Sequence, residues 1–555
     1  AEPHPPLFPL LLKGWIRMVG SEEMVVRFPS IAAGTLIVPA AAALGRDLGP
    51  RVGATAALLA AVSPFLLWYT TEARMYGFAA LGAALSFFWF LRLLRQPSTA
   101  AVVGYGLATA LALLTHYFVI FVGLAEAIVA LAALLRCRDR LLPLAAGAAL
   151  ALLPAAAWAV YAARIVGSYY GAAPGSVDLI AVAARAWARL PIGWSVGPAT
   201  ATLAGLAATP LVAAGAAVAL RRRRGCAAAW LVWLAIPFVA GLGVSLLRPM
   251  YQERYLAVVA GAYLLLLAAA IAAPPRRVPR AALLGLALAA AAVPIGNLAL
   301  PGYARSQYGS HAAEANALAV PGEAAILTGP SQAPLYDYYA SRSGAGLPVF
   351  GLPHGSPAPE PTTQRELTEL AARYQGLWLF LYAVHDYDPA DVVERWLTAN
   401  AYRAPARWTI NGRLIHFLTE PAARLGQPSA PRPLGATWRA VVTLPAAPVR
   451  AGALMPLRVE LEPRERPAAV PKLRLRLIDE RGFIWGEADE LVGSGFLSAP
   501  ELAPGRPRLE RRAVAVLGGA PAGPLRLEAQ LYSQAADRSE PIGTADLGTV
   551  PIEAG

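Results

Sequence analysis

Lysine is almost absent from these 555 residues: Lys13 and Lys472 stand beside 46 arginines. That bias is the one expected of a GC-rich bacterial genome. Cysteine is nearly as scarce, with Cys137 and Cys226 alone and none after residue 226, so no disulfide framework supports the second half of the chain. No G-x-G-x-x-G or Walker pattern is present, so nucleotide binding has no support. No His/Cys/Asp cluster has metal-ligand spacing, which argues against a structural zinc; no cofactor is expected, and a divalent metal requirement is left open. Acid is scarce only in the first half. Residues 1–300 hold 23 Lys/Arg against 9 Asp/Glu, whereas residues 301–555 hold 25 against 26. The net charge of +13 therefore belongs to the first half, where it has a topological meaning, and nucleic acid is not an expected partner.

What is abundant is apolar sequence. Runs of about 20 apolar residues read as membrane spans, and ten occur, near 28–45, 52–68, 77–91, 100–115, 117–135, 141–161, 199–220, 227–247, 255–273 and 281–300. Alternate loops between them are short and arginine-rich: Arg46 and Arg51; Arg92 and Arg95; Arg136, Arg138 and Arg140; Arg221 to Arg224; Arg276, Arg277 and Arg280. These fourteen arginines, opposed by Asp47 and Asp139 alone, place all five loops in the cytoplasm by the positive-inside rule. Residues 1–27, the turn 69–76, His116 with Tyr117, the loop 162–198, the link Arg248–Arg254 and residues 301–555 then lie on the opposite, extracytoplasmic side. Ten spans put both termini outside, and the first 27 residues contain no signal peptide, so one more membrane helix is expected ahead of residue 1.

Past residue 301 strand and helix signals alternate: helix 303–318, strand 324–328, helix 335–340, strand 348–350, helix 362–374, strand 377–382 and helix 388–400. This predicts a small α/β domain over 301–420 with a largely parallel sheet. A Pro-rich linker, 421–434, leads to alternating runs at 457–461, 472–478, 511–517 and 525–532, the pattern of a β-sandwich. That accessory domain, 421–555, reads as self-contained and shows no catalytic cluster.

The polar residues of the membrane half gather at the extracytoplasmic helix ends. Tyr69-Thr70-Thr71-Glu72-Ala73-Arg74-Met75-Tyr76 links two spans with an acid, a base and two tyrosines. It is either a solvated turn or part of a site. His4 follows Glu2-Pro3, His116 and Tyr117 interrupt two apolar runs, and Glu253-Arg254-Tyr255 precedes a span. Arginine in such places can hold a pair of phosphate oxygens with its planar fork. Glu126 lies inside the span 117–135, where an ionisable group is expensive; it serves either a pocket or helix packing.

In this order, His4-Pro5-Pro6-Leu7-Phe8, Arg27-Phe28-Pro29-Ser30, Thr71-Glu72-Ala73-Arg74-Met75-Tyr76, Thr115-His116-Tyr117 and Glu253-Arg254-Tyr255 resemble bacterial members of the GT-C glycosyltransferase superfamily. These are relatives of the protein mannosyltransferases and of the lipid A aminoarabinose transferase. The resemblance covers residues 1–300 and extends loosely to 420. It implies a polytopic α-helical transferase domain that moves a sugar from a polyprenyl-phosphate carrier in the bilayer to a glycan, lipid or protein acceptor outside the bacterial cytoplasmic membrane. It also implies substrate-binding roles for His4, Arg74, Tyr76, His116, Tyr117, Glu253, Arg254 and Tyr255. The family's catalytic acid lies in a loop before the His-Pro-Pro stretch. Glu2 is too close to His4 to fill that place, which leaves Glu72 as the reserve carboxylate and the main one ahead of residue 1. The competing reading is a polytopic transporter or flippase of lipid-linked saccharides, which would show internal repeats and broken helices near the midplane.

Overall fold

The computed structural model describes residues 4–166, 178–247, 252–300, 303, 307–344, 346–355, 359–420, 424–535 and 538–555. Glu2, Arg248 to Tyr251, the middle of the loop 162–198 and the start of the linker at 421 lie outside these. The chain divides into two compact units, Ala1–Tyr303 and Ala304–Gly555.

The first unit is all helical: α1 Leu7–Val19, α2 Glu23–Gly45, α3 Pro50–Ala61, α4 Pro64–Thr70, α5 Tyr76–Arg95, α6 Thr99–Leu113, α7 Val119–Leu134, α8 Leu141–Val166, α9 Leu179–Arg189, α10 Pro198–Arg222, α11 Arg224–Leu247, α12 Ala260–Ala272 and α13 Arg277–Asn297. A 3-10 turn, Glu253–Val259, leads into α12. Among the described residues seven helices are long and apolar enough to cross a membrane, or eight if the bent pair α3–α4 counts as one span. Every expected apolar run is helical, but three differ from a full straight span. The run 52–68 is broken, with α3 and α4 meeting at 52°. Pro64 has no N–H to continue the helix, and the Ser63 hydroxyl accepts instead from the Leu66 amide at 3.3 Å. The runs 100–115 and 117–135 form helices of 15 and 16 residues, interrupted by a turn at Leu114–Phe118. At 1.5 Å per residue each reaches roughly 22–24 Å, short of the ~30 Å hydrocarbon layer.

Close helix contacts rest on glycine where a Cβ has no room. A methyl on Gly215 of α10 would collide with the Leu266 carbonyl of α12. Inside the bundle Phe87 stacks on Trp233 at 4.4 Å, and the Trp233 indole donates to the Val258 carbonyl at 2.9 Å. Glu126, fully buried, accepts from the hydroxyls of Ser86 (2.6 Å) and Tyr105 (3.1 Å), while Ser86 also bonds Thr109 at 2.7 Å. Of its two readings the geometry takes packing, because the carboxyl clasps α5, α6 and α7.

The two ends of the bundle sort by composition. Arg95 grips both oxygens of Asp47 at 2.5 and 2.6 Å and donates to Cys226 Sγ at 2.8 Å, and Arg140 donates to the Arg95 carbonyl at 3.4 Å. Four arginine-rich loops thus share one end. At the other end the Leu7 amide donates to the Leu114 carbonyl (3.0 Å), Ser30 Oγ to the Arg74 carbonyl (2.7 Å) and Asn297 to the Ser195 carbonyl (2.7 Å).

The second unit comprises α14 Tyr308–Leu318, β1 Glu323–Thr328, α15 Ala333–Ser343, β2 Val349–Leu352, α16 Glu360–Arg373, β3 Gly376–Tyr382, α17 Val384–Tyr387, α18 Val392–Asn400, β4 Tyr402–Arg403, β5 Arg407–Trp408, β6 Gly412–Leu418, β7 Leu425–Pro428, β8 Arg432–Leu434, β9 Trp438–Pro445, β10 Val449–Arg450, β11 Leu454–Pro463, β12 Lys472–Ile478, β13 Ile484–Leu491, β14 Arg508–Ala515, β15 Gly523–Ala535 and β16 Arg538–Glu553. β1 pairs in parallel with β2 and β3, and the added β6 runs antiparallel. β3 is buried along its whole length: Leu377, Leu379 and Leu381 pack with α16 and α18, and Trp378, Phe380 and Tyr382 with α14 and α15. Such a strand, covered on both faces, reads as one continuous apolar run. In the sandwich, β12 alternates Arg and Leu, so one face enters the core and the other stays partly in water.

The border expected at 420/421 is crossed by hydrogen bonding. One sheet runs β2-β1-β3-β6-β4-β14-β11-β9-β7, and the second sandwich sheet runs β10-β16-β15-β12-β13. At the crossing Arg403 pairs in register with Arg512.

Candidate functional site

The turn 71–75 between α4 and α5 is held from below. Ser30 of α2 fixes the Arg74 carbonyl, Thr71 Oγ1 donates to the Leu67 carbonyl at 2.6 Å, and Met75 is buried. This ties the backbone and leaves the Arg74 side chain exposed and Glu72 half-buried. Tyr76 then enters α5 with its ring buried, 5.7 Å from the ring of Tyr69 and 5.7 Å from that of His116.

His116 is the hub. Its ring lies 5.2 Å from Tyr255, and Phe118 lies 4.8 Å from Tyr255. The Phe118 amide donates to His116 Nδ1 at 3.1 Å, which puts the ring proton on Nε2. Burial, joined by the nearby charges of His4 and Arg254, pushes its pKa down to about 3. A histidine of ordinary pKa in the unfolded chain and about 3 in the fold takes up its proton earlier when unfolded. Stability is therefore lost as pH falls from about 6.5 toward 3. The thermal midpoint of the purified protein should fall between pH 7 and pH 5, and His116→Asn should shallow that slope; equal slopes in the two proteins would exclude a buried neutral His116.

Arg254 overlooks this cluster. Its guanidinium stands 5.7 Å over the Tyr76 ring, and its Nε is buried without a hydrogen-bond partner among the described residues. A buried guanidinium nitrogen without a partner among the described residues is an opening for an acceptor such as a ligand oxygen or a water. Glu72 and Arg74 both lie near enough to act electrostatically on the Tyr76 hydroxyl, and Glu72 and Glu253 on that of Tyr69. Glu253 is 3.9 Å from Arg185. The structure thus brings His4, Glu72, Arg74, Tyr76, His116, Glu253, Arg254 and Tyr255 to one end of the bundle. Tyr117 turns elsewhere: it is 40% exposed and accepts from the Trp158 indole of α8 at 3.3 Å.

Sequence reasoning missed the contribution of the loop after α8. The Trp194 indole donates to the Tyr69 hydroxyl at 2.6 Å, and the Arg189 guanidinium lies 4.4 Å over the Trp194 ring while donating to the Gly193 and Val196 carbonyls. The available signal was two Trp, 187 and 194, and two Arg, 185 and 189, on a mostly apolar segment. No motif ties them to the turn more than a hundred residues earlier.

Chemically, the cluster offers cations around aromatic rings and hydroxyls, with two carboxylates at the edge. It suits an anionic group attached to a ring-shaped, hydroxylated one.

Residues 3–161 match the family model described as dolichyl-phosphate-mannose-protein mannosyltransferase, a match that includes His4, Glu72, Arg74, Tyr76, His116 and Tyr117 and stops short of Arg254. No curated protein matches the chain by sequence. Among solved structures, ArnT from Cupriavidus metallidurans in the apo state aligns at 15% identity over 74% of this chain and 87% of its own, with a TM-score of 0.36. The same protein bound to undecaprenyl phosphate gives 14%, the same coverage and 0.36. The arabinofuranosyltransferase AftD from Mycobacteria gives 14% over 93% of this chain and 55% of its own, at 0.32. Superpositions this loose transfer no residue role.

Proposed function

We propose, from the match of residues 3–161 to the dolichyl-phosphate-mannose-protein mannosyltransferase model, that this multi-pass membrane protein is a GT-C glycosyltransferase that transfers a sugar from a polyprenyl-phosphate carrier to a hydroxyl of an acceptor on the extracytoplasmic side of a bacterial plasma membrane. The matched family is named for a dolichyl-phosphate sugar donor, and the observation that carries the reading is Arg254. It is a half-buried guanidinium whose Nε has no partner among the described residues, facing tyrosines and a neutral histidine at the end away from the arginine-rich loops.

In this reading the acceptor oxygen attacks the anomeric carbon, and the bond from that carbon to the phosphate oxygen breaks. Polyprenyl phosphate leaves with the electron pair. Arg254, seconded by Arg74, offsets the charge that develops on it. Glu72 takes the acceptor's proton. His116, donating from Nε2, and Tyr76 orient the sugar or the phosphate, while His4, Glu253 and Tyr255 shape the edge of the site.

Proteoliposomes given a labelled sugar on polyprenyl phosphate test the proposal. Label should leave the carrier, appear on a glycan, lipid or protein acceptor, and free the carrier phosphate. Label that crosses the bilayer still attached to its carrier would instead identify a flippase.

The topology has its own test. With an impermeant thiol reagent outside intact cells, Gly355→Cys and Ala447→Cys should be modified and Arg222→Cys spared. The reverse pattern would turn the site toward the cytoplasm.

A further inference from the structure

We propose that the arginine-rich end of the bundle holds a headgroup site for an anionic phospholipid, separate from the transfer site at the opposite end. A cavity of about 570 Å³ opens where α3 begins and α10 and α12 end. That volume lies within the range of small-molecule sites. Its lining is mixed: apolar Leu48, Val52, Ala272 and Pro274 stand beside two cations, Arg51 and Arg222.

The charge there is uncompensated. The acid nearest in sequence, Asp47, has both oxygens held by Arg95. Arg51 and Arg222 are both exposed at its mouth, and neither makes an ion pair or side-chain hydrogen bond among the described residues. Two guanidiniums beside an apolar patch match a molecule with an anionic head and a greasy body. A free phosphate would use the arginines and leave the rest of the cavity wet. Basic pockets between spanning helices on the cytoplasmic side are where anionic headgroups bind, since that leaflet is the negatively charged one. The inference rests on the topology proposed above and is independent of the reaction.

The test uses the purified full chain and three probes: phosphatidylglycerol, phosphatidylcholine and inorganic phosphate, with binding followed by native mass spectrometry and thermal shift. Phosphatidylglycerol should bind selectively. Arg51→Gln with Arg222→Gln should weaken it by about thirtyfold, the combined effect of two arginines at an anionic surface. Arg136→Gln with Arg138→Gln, on the same basic end but outside the cavity, should leave it unchanged. Equal losses in the two double variants would mean a diffuse basic surface and overturn the site. Equal binding of phosphatidylcholine, or displacement of phosphatidylglycerol by inorganic phosphate, would overturn the choice of ligand. Selective binding in a protein that transfers no sugar would keep this site and remove the proposed reaction.

Discussion

Arg254→Ala should lower sugar transfer by about ten- to a hundredfold while the protein still inserts and folds. A charge-assisted hydrogen bond in a partly desolvated site contributes roughly 1.5–3 kcal/mol, and each ~1.4 kcal/mol of lost transition-state stabilisation is a factor of about ten in rate. The Arg254 side chain meets that condition, being half-buried against Tyr76 with its Nε shielded from water. Arg74 does not, because its side chain is exposed and its backbone alone is pinned. Arg74→Ala should therefore cost only a fewfold, since exposed charges are screened. Lysine at 254 should restore part of the rate, keeping the charge and losing the fork. Arg17→Ala on the exposed face of α1 is the control. A rate for Arg254→Ala equal to that control would remove the phosphate contact from the mechanism.

The second large effect is expected far from any chemistry. Glu394 is fully buried and binds two arginines: Arg403 at 3.0 Å and Arg413 at 3.0 and 2.7 Å. Arg403, 3% exposed, also donates to Glu490 at 2.9 Å, and Arg512 joins through Glu490 at 2.6 Å and Glu510 at 2.7 Å. Taking one partner from a buried pair leaves a charge in low dielectric, at a cost of about 3–5 kcal/mol. For a unit of this size that is a fall of roughly 10 °C in Tm. Glu394→Ala, followed by circular dichroism of residues 304–555, should show it. Glu462→Ala, which breaks a partly exposed pair with Arg439 at 3.6 Å, should shift Tm by little. Equal shifts would mean that the buried network contributes no more than a surface pair.

The membrane half was legible because bilayer burial writes itself as composition: apolar runs gave the helices, and arginine placement predicted which loops share an end. The break at Ser63-Pro64 was written too, as a proline inside an apolar run, but length alone masked it. Strands β1 and β3 were readable because burial on both faces writes them as short apolar runs, Ala324–Leu327 and Leu377–Leu381, with the polar Glu323 and Thr328 only at the ends of β1. The continuity of the sheet was not, since one backbone pairing at Arg403 and Arg512 leaves no pattern in either segment. For the site, the acid, base and histidine positions stood out against apolar neighbours. Trp194 and Arg189 did not, because their partner Tyr69 is distant in sequence and the contact is made by geometry alone.

The shared sheet also bears on how this protein could have been assembled or trimmed. A cassette domain leaves when cut at its linker, with both pieces closed. Severing this chain near residue 421 would instead strip β14 from β4 and leave each piece with a raw strand edge, its amides and carbonyls facing water. Such edges recruit other chains. Proteolytic nicking at the linker should therefore yield sticky fragments that self-associate.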